Sequence, residues 1–385
     1  MLGTPSEYST TIPFEFQGTG RDFFRIWTVN LFLSLLTLGI YSAWAKVRTQ
    51  RYLYSHLYLD DTPFEYLANP INILVGRLIA GTLVLTYVIA PEFFPALSVW
   101  IVVAAVPLVP WIILKSLQFR ARNSAYRNIR FGFQGSYWAA LFYFMTIPIM
   151  VFAPLVLLSL FMPGVIEVDP EDPAMLEQQV TYSAISGALF LLALPFFPFF
   201  LQRAYQYTIA GSSFGDARFQ FRSRVNEYVG LVFKFIGLSI LLVFGIALVY
   251  GIGVAMLFAV GVGPQAASIM VLPLVLPLYL LLFAAWAAWK TNLMYNGLVI
   301  PSWYTFKSTA TMGGFFKIYF INTSLIILTL GIYIPWAVIR MIRYRVSCLE
   351  FVSTQPLDNF LFNEDPEVNA AGQEAGDMFD LGIGL

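Results

Sequence analysis

The side chains best suited to acid–base or metal chemistry are scarce in this sequence. It contains one histidine, His56, and one cysteine, Cys348. A single cysteine cannot form an internal disulfide, and one histidine without a cysteine partner cannot build a zinc site. The sequence also lacks the Gly-x-x-x-x-Gly-Lys and His-Glu-x-x-His motifs of nucleotide and zinc sites. We therefore predict a non-enzymatic protein with no catalytic residue, no metal site and no cofactor.

A second group of side chains, basic or aromatic, repeats along the chain and has the chemistry of lipid-headgroup contacts. Trp44, Arg48 and Tyr52 are in register with Trp111, Lys115 and Phe119, with Phe199, Arg203 and Tyr207, and with Trp286, Lys290 and Met294. Tyrosine and tryptophan favour the membrane interface, and arginine is attracted to anionic lipid. Specific lipid binding and ordinary interfacial anchoring both fit this pattern. The candidate headgroup contacts are Arg48, Arg51, Tyr52, Lys115, Arg203, Tyr207, Lys290, Arg340, Arg343 and Tyr344.

Two asparagines, Asn30 and Asn322, lie at equivalent places inside apolar stretches. A polar amide in hydrocarbon usually finds a hydrogen-bond partner on another helix, so such a partner is expected for both. A contact with a substrate is the alternative. They are the candidate intramembrane polar residues of the chain.

The elements that must hold these residues are membrane-embedded. Apolar residues make up 58% of the 385 residues and charged residues only 11%, whereas an ordinary soluble domain has about 25% charged residues. This composition excludes a cytosolic enzyme, a nucleic-acid-binding domain, a disordered protein and a disulfide-rich secreted module. We predict a polytopic membrane protein that contacts lipid and no nucleic acid.

Six stretches are long and apolar enough to cross a bilayer, and Lys and Arg cluster on one side of them. The positive-inside rule places those clusters, and both chain termini, in the cytoplasm. The six stretches are 71–90, 95–117, 137–162, 180–201, 228–262 and 266–289. Two shorter stretches, 23–45 and 315–338, are either single spans or re-entrant hairpins. The hairpin alternative keeps every Lys and Arg on one side.

The chain is an internal repeat. Residues 23–52 match residues 315–344 at a constant offset of 292, and fainter copies lie between them. Each unit has an extended aromatic segment, an apolar hairpin and a basic helix. We predict a polar tail at 1–13, one membrane domain at 14–355 and an acidic disordered tail at 356–385, a candidate contact for a protein partner. The five units span about 14–60, 61–130, 131–218, 219–303 and 304–355.

These motifs resemble those of a known family. The Phe-x-Phe-x-Gly opening, the Leu-Gly-Ile-Tyr-x-x-Trp-Ala-x-x-Arg stretches at 38–48 and 330–340 and the basic helix ending in Arg-Tyr are similar to the YjgN-like bacterial inner-membrane proteins. The resemblance covers about 14–351. It implies only a location in the inner membrane and a multi-pass architecture. No catalytic or binding residue can be carried over, because the family is a domain of unknown function.

The predicted fold class is all-α, a polytopic integral membrane protein of tandem helical hairpins with six long transmembrane helices and two short terminal apolar segments. Short extended aromatic segments lie on the cytoplasmic side and could pair into a small sheet. Two functions remain open. The first is a non-enzymatic carrier or channel for uncharged or amphipathic cargo, as internal repeats are common in transporters. The second is a membrane-organising or partner-binding protein that acts on lipid. The oligomeric state cannot be read from the sequence.

Overall fold

The computed structural model of the chain describes residues 10–94, 97–161, 173–300 and 304–353. Within these residues the chain forms five successive units, each with an opening strand, a helical hairpin and a closing strand. The first unit begins with β1 at Thr10, inside the segment 1–13 that we expected to be a tail. The predicted tail at 356–385 and most of the acidic connection at 163–179 lie outside the described residues.

The bounds of the elements show that the units share one order of strands and helices. Unit 1 comprises β1 (Thr10–Phe16), α1 (Gly20–Leu36), α2 (Ser42–Ser55) and β2 (Leu57–Leu59). Unit 2 comprises β3 (Thr62–Tyr66), α3 (Pro70–Phe93), α4 (Leu97–Arg122) and β4 (Ser124–Tyr126). Unit 3 comprises β5 (Ile129–Phe133), α5 (Tyr137–Leu141), a π-helical turn (Phe142–Thr146), α6 (Ile147–Phe161), α7 (Pro173–Ala193), α8 (Phe196–Ala210) and β6 (Ser212–Phe214).

The last two units follow the same order. Unit 4 comprises β7 (Ala217–Arg218), β8 (Gln220–Phe221), α9 (Val225–Ala259), α10 (Pro264–Asn296) and β9 (Leu298–Ile300). Unit 5 comprises β10 (Tyr304–Ser308), α11 (Met312–Leu328), α12 (Ile334–Ser347) and β11 (Leu349–Ser353). Helices α1 and α11 are capped alike, since the hydroxyls of Thr19 and Thr311 accept hydrogen bonds from the amides of Asp22 and Gly314.

The eleven strands form one antiparallel sheet that nearly closes into a barrel. Their order is β7-β6-β5-β4-β3-β2-β1-β11-β10-β9-β8. The two end strands, β7 and β8, are separated in the chain only by Phe219, whose amide donates to the carbonyl of Ser212 over 2.9 Å. Two-residue turns such as Asp60–Asp61 join successive units, and both turn residues have the positive φ that a tight hairpin requires. The sheet therefore links all five units in a ring.

Aromatic side chains fill the inside of this barrel. One phenylalanine from the opening segment of each unit occupies an equivalent place, and Phe14 stacks on Phe64 at 6.4 Å and on Phe306 at 6.2 Å between ring centroids. The alternate residues Glu15 and Glu65 are exposed, as the two-residue period of a strand requires. The packed interior residues are Phe14, Phe64, Phe131, Phe219 and Phe306, with Leu59, Tyr126, Phe214, Ile300 and Phe351 from the closing strands. These side chains pack against one another and fill the interior of the barrel.

The helices form a second closed layer. The closing helix of each unit packs against the opening helix of the next, and α12 of unit 5 packs against α1 of unit 1. Because each hairpin starts and ends at the ring of strands, both ends of all five described hairpins lie on the same side of the helical layer. The repeat therefore gathers every unit end on one face.

The hairpins differ in length. The chain reverses at 37–41 in unit 1 and at 329–333 in unit 5, where Leu38 and Leu330 have positive φ and the following glycines reach φ values of 92°. Helices α1 and α11 each have 17 residues, whereas α9 has 35. Units 1 and 5 are neighbours, so the two short hairpins lie side by side.

Two parts of the predicted fold class need correction. The chain is not all-α, because the extended aromatic segments pair into an eleven-stranded sheet that joins the first unit to the last. The six-helix count is not confirmed either. In the described residues four helices are long and apolar enough to cross a membrane, and α7 with α8 makes a fifth if the pair is one span. That pair bends by 42° just before Pro195, where a proline cannot continue the helical hydrogen bonds.

The single-span alternative for 23–45 and 315–338 is also wrong. Each stretch turns back on itself, and Asn30 of α1 reaches the carbonyl of Ala45 in α2 over 3.2 Å. The sequence left this open because either stretch is long enough for one span.

Candidate functional site

The predicted headgroup contacts lie on the closing helices, near the ends that join the barrel. Three of them are tyrosines that bridge the two arms of their own hairpin. The Tyr52 hydroxyl accepts from the amide of Thr19 over 2.9 Å and donates to its carbonyl over 3.0 Å. Tyr344 bonds the amide and carbonyl of Thr311 at 3.1 and 3.2 Å. We refer to these contacts as the tyrosine bridges.

The third tyrosine bridge is in unit 3. Tyr207 is buried and donates to the carbonyl of Ser136 over 3.0 Å. Units 2 and 4 carry Phe119 and Met294 at the equivalent position, and neither side chain has a hydroxyl to make this bond. Phe119 is fully buried and fills the space itself.

Side chains of the closing helices also reach the next unit. Arg51 donates to the carbonyl of Ala68 over 3.2 Å, and Arg343 donates to the carbonyl of Gly18 over 2.9 Å. The second bond closes the ring between unit 5 and unit 1. Two residues that the sequence analysis missed make the same kind of bond: Gln202 to Ser223 over 3.1 Å and Asn292 to Ala310 over 2.8 Å. All four acceptors occupy the equivalent small-residue position four residues after the interior phenylalanine.

The two buried asparagines tie the arms of the short hairpins together. The Asn30 amide nitrogen donates to Ala45 and to the hydroxyl of Thr49 over 3.3 Å. Asn322 donates to the carbonyl of Ala337 over 3.1 Å, and its oxygen accepts from Arg340 over 3.3 Å. Both amides thus have the interhelical partner expected of a polar group in an apolar layer.

The remaining candidates differ in exposure. Arg48 is exposed, while Lys115 and Lys290 are half-buried. Arg203 lies 5.1 Å over the ring of Phe199, and Arg340 lies 5.5 Å over that of Tyr333. Most of the ten candidates therefore bind the protein's own backbone or rings, and their contact with lipid headgroups stays a prediction.

A groove opens at the base of the unit 4 hairpin, where the tyrosine bridge is missing. Its volume is about 480 Å³. One wall comes from the start of α9 and the connection between β8 and α9, and the other from the end of α10. The lining residues are Arg222, Ser223, Glu227, Leu231 and Lys234 on one wall and Trp289, Asn292, Leu293, Asn296 and Gly297 on the other. We call this cavity the unit 4 groove.

Three charged side chains, Arg222, Glu227 and Lys234, line the groove, and all three are exposed. Within the described part of the chain, neither Arg222 nor Lys234 has a carboxylate at ion-pair distance. The sequence offered one signal for this site, namely Met294 in the register where units 1, 3 and 5 have tyrosine.

A smaller cavity of about 180 Å³ lies at the junction of units 5 and 1. Trp336 lines it and stacks on Phe24 at 4.8 Å between ring centroids. Its two cations are already engaged, because Arg340 bonds Asn322 and Tyr333 and Arg343 bonds Gly18. This cavity is therefore part of the packing between units.

Groups that could support catalysis are dispersed in the described residues. The ring of His56 lies 4.2 Å from that of Tyr52, and its Nδ1 is 2.7 Å from the Tyr52 carbonyl. Cys348 is buried. Within residues 10–94, 97–161, 173–300 and 304–353, no group of three His, Cys, Asp or Glu side chains is placed to hold a metal ion.

One catalytic-type spacing, Gly211-Ser212-Ser213-Phe214-Gly215, matches the Gly-x-Ser-x-Gly of hydrolases. The motif needs a turn from a strand into a helix to expose its serine. Here the central Ser213 lies inside β6, which turns into another strand, and only 5% of the residue is exposed. The local fold therefore does not present it as a nucleophile.

Burial in and beside the barrel changes the acidity of two tyrosines. Desolvation raises the pKa of Tyr126, whose hydroxyl donates to the carbonyl of Leu59 over 2.7 Å. Desolvation also raises the pKa of Tyr304. Both hydroxyls are thus kept protonated, as expected of phenols in an apolar interior.

Part of the chain is similar in sequence to known inner membrane proteins. It is 29% identical over 141 residues to an inner membrane protein YjgN of Salmonella typhimurium, an alignment that covers 36% of each chain. It is 28% identical over 134 residues to the inner membrane protein YjgN of Escherichia coli strain K12, covering 34% of each. The alignments thus span about a third of the length of these curated relatives. No solved structure matches the chain.

A family model matches residues 11–378, which is most of the chain. The family is described as bacterial protein of unknown function (DUF898). Together with the apolar helices, these relatives place the chain in the bacterial inner membrane. Because the match extends over most of its length, the chain belongs to the DUF898 family of bacterial proteins.

Proposed function

We propose that this protein is a non-enzymatic membrane-organising protein whose two neighbouring short hairpins, α1–α2 and α11–α12, insert into one leaflet as a wedge. The observation that carries this proposal is the difference in hairpin length around a closed ring. The barrel anchors all five hairpins at one level, so the short ones end where the long ones continue. Lipid next to units 1 and 5 must adapt to that step.

The reach of the helices supports the wedge. The apolar part of α1 after Arg25 is Ile26 to Leu36, which rises about 16 Å, and the equivalent part of α11 after Lys317 has the same length. The hydrocarbon core of a bilayer is about 30 Å thick. The apolar part of α9, from Phe235 onward, rises about 37 Å and can cross. The short tips therefore end inside the core.

The tips have the side chains that such a position needs. Leu38 is 95% exposed and Leu330 is 94% exposed, and their neighbours Ile40 and Ile332 are also more than half exposed. Exposure of large apolar side chains to water at a turn is energetically unfavourable, whereas their contact with hydrocarbon is favourable. A bilayer adapts to a short apolar segment by thinning locally, at a modest energetic cost for each ångström.

The positive-inside rule puts the barrel in the cytoplasm, since the basic residues of the closing helices lie at its level. In this orientation both termini of the membrane domain are cytoplasmic. The acidic segment 356–385 then offers a protein partner a negatively charged site on the same side, and we retain that contact as a proposal.

The alternative of a carrier or channel has less support. The axis of the barrel is filled by the rings of Phe14, Phe64, Phe131, Phe219 and Phe306 and their partners. Cargo would have to pass between hairpins instead. All five repeats also share one orientation, unlike the inverted repeats of many carriers.

Depth-dependent fluorescence quenching tests the wedge. A bimane label is attached to a single cysteine at Leu38 or Leu330 in a Cys348→Ala background, and the protein is reconstituted with lipids brominated at defined acyl positions. Leu241, 67% exposed on the long α9, is the matched control for a label in hydrocarbon. We expect both tips to be quenched as strongly as Leu241 by bromine near the middle of the acyl chain. Reaction of a tip cysteine with a membrane-impermeant thiol reagent would contradict the proposal.

The action on lipid is measured separately, in vesicles with coexisting thin and thick domains. We expect the protein to concentrate in the thin domains, because short hairpins match them better. A variant with Leu38→Lys and Leu330→Lys should lose that preference, and Leu38→Met with Leu330→Met should keep it. Equal distribution of the wild-type protein would refute a wedge that acts on bilayer thickness.

A further inference from the structure

The unit 4 groove differs from the hairpin bases of the other units in a way that suggests a ligand. In units 1, 3 and 5 a tyrosine hydroxyl bridges the arms, and in unit 2 the buried Phe119 fills the space. In unit 4 no side chain of α10 makes an equivalent bridge in the described residues, and at the base of this hairpin the amide of Arg222 donates to the carbonyl of Gly297 over 2.8 Å and the Ser223 hydroxyl donates to the carbonyl of Leu293 over 3.1 Å. Beyond these bonds the groove is open.

The charges in the groove suit a phosphate group. Arg222 and Lys234 line it, and in the described residues no carboxylate lies at ion-pair distance from either cation. Residues 227, 231 and 234 recur at helical spacing, so Glu227, Leu231 and Lys234 share one face of α9. The carboxylate of Glu227 is held near the start of the helix, where it accepts from the amide of Arg224 over 3.3 Å.

The position of the groove suits a lipid rather than a soluble anion. Lys234 lies about 14 Å along α9 from its first residue, and uncharged residues follow it up to Lys290 on the returning arm. The groove therefore runs from the barrel level into the first turns of the apolar layer. Trp289 lines its deeper part, and tryptophan favours the interface between headgroups and acyl chains.

We propose that the unit 4 groove binds the headgroup of a single glycerophospholipid, with Lys234 and Arg222 on the phosphate. Glu227 and Asn296 then face the ammonium or hydroxyl of the headgroup, and the acyl chains leave past Trp289. This site does not depend on the short hairpins, since it belongs to unit 4 and uses none of their residues.

Lipid binding by purified variants tests this assignment. Wild-type protein, Arg222→Gln/Lys234→Gln and the control Lys317→Gln are delipidated in detergent and titrated with phosphatidylethanolamine or phosphatidylglycerol, and bound lipid is counted by native mass spectrometry. Lys317 is an exposed lysine on the opening helix α11, away from the groove. We expect the double variant to bind either lipid at least about tenfold more weakly, because it lacks both cations assigned to the phosphate. Lys317→Gln should match the wild type.

Two further measurements complete the test. Lys234→Arg should retain binding, which shows that charge and not a folding defect explains the loss. Equal binding by the double variant and the wild type, or an equal loss in Lys317→Gln, would overturn the site. If inorganic phosphate displaces the lipid at a similar concentration, the proposal that the ligand is a lipid is refuted, and a soluble phosphate is the ligand. The vesicle distribution assay above reports on the wedge alone, so the two proposals fail separately.

Discussion

Replacing Phe14 by alanine should unfold the protein more readily, because this ring joins the first unit to both of its neighbours. Phe14 stacks on Phe64 of unit 2 and on Phe306 of unit 5, at 6.4 and 6.2 Å between ring centroids. Its strand pairs with β11 on one side and β2 on the other. The alanine variant would leave a cavity at the point where the barrel closes.

The size of the effect follows from the burial of the ring. Truncation of a fully buried phenylalanine costs about 3–5 kcal/mol, and Phe14 is partly buried within the aromatic cluster. We therefore expect a loss of about 3 kcal/mol in the free energy of unfolding, roughly a hundredfold in the unfolding equilibrium. Phe14→Leu keeps part of the volume and should lose about 1 kcal/mol.

The assay is unfolding of the purified protein by increasing SDS in mixed micelles, followed by tryptophan fluorescence. Glu15→Ala is the matched control, since Glu15 is the next residue of β1 and faces outward. It should unfold like the wild type within about 0.5 kcal/mol. If Glu15→Ala is as destabilising as Phe14→Ala, or if Phe14→Ala is neutral, the register of β1 and the filled barrel are wrong.

Three other predictions use the same unfolding assay. Tyr344→Phe should cost about 1–2 kcal/mol, because it removes the hydrogen bonds between its hydroxyl and Thr311 that hold the base of the hairpin; a neutral result would mean that water replaces them. Asn322→Leu should cost about 2–4 kcal/mol, because it removes the bond to Ala337 and leaves Arg340 without its amide partner, and a stabilised variant would contradict the interhelical role. Tyr126→Phe should cost about 1 kcal/mol at neutral pH. The wild type should lose stability above about pH 10, since burial raises the folded-state pKa of Tyr126 above its unfolded value; the variant should lose less, and parallel pH profiles would refute this.

The repeat could be predicted from sequence because its signals are local. The match of 23–52 with 315–344 gives the two short hairpins, and the Phe-x-Phe segments give the extended strands. The closure of the sheet could not be predicted, since the sequence of a strand of two to seven residues does not specify which other strand it pairs with. The pairing of β1 with β11 joins residues more than 330 positions apart.

Prediction of the candidate site from sequence is limited in a similar way, because the partners of its side chains depend on the fold. Tyr52 and Arg51 have the composition of headgroup contacts, yet the structure directs both to backbone groups of the protein. Residue type alone cannot separate these roles, because an amide or carbonyl at a helix end needs a partner as much as a headgroup does. The unit 4 groove depends on the absence of a tyrosine at Met294, and such an absence matters only once the bridge in the other units is known.

Closure of both layers restricts where function can lie. A ring in which every unit is tied to the next leaves little freedom for one repeat to rock against another, the motion by which many transporters work. Function is then expected where the units differ, at the short hairpins of units 5 and 1 and at the groove of unit 4. These places are adjacent, because α10 packs against α11 and Asn292, which lines the groove, donates to Ala310 of unit 5. A lipid held in the groove would therefore lie at the border where the long hairpins give way to the short ones.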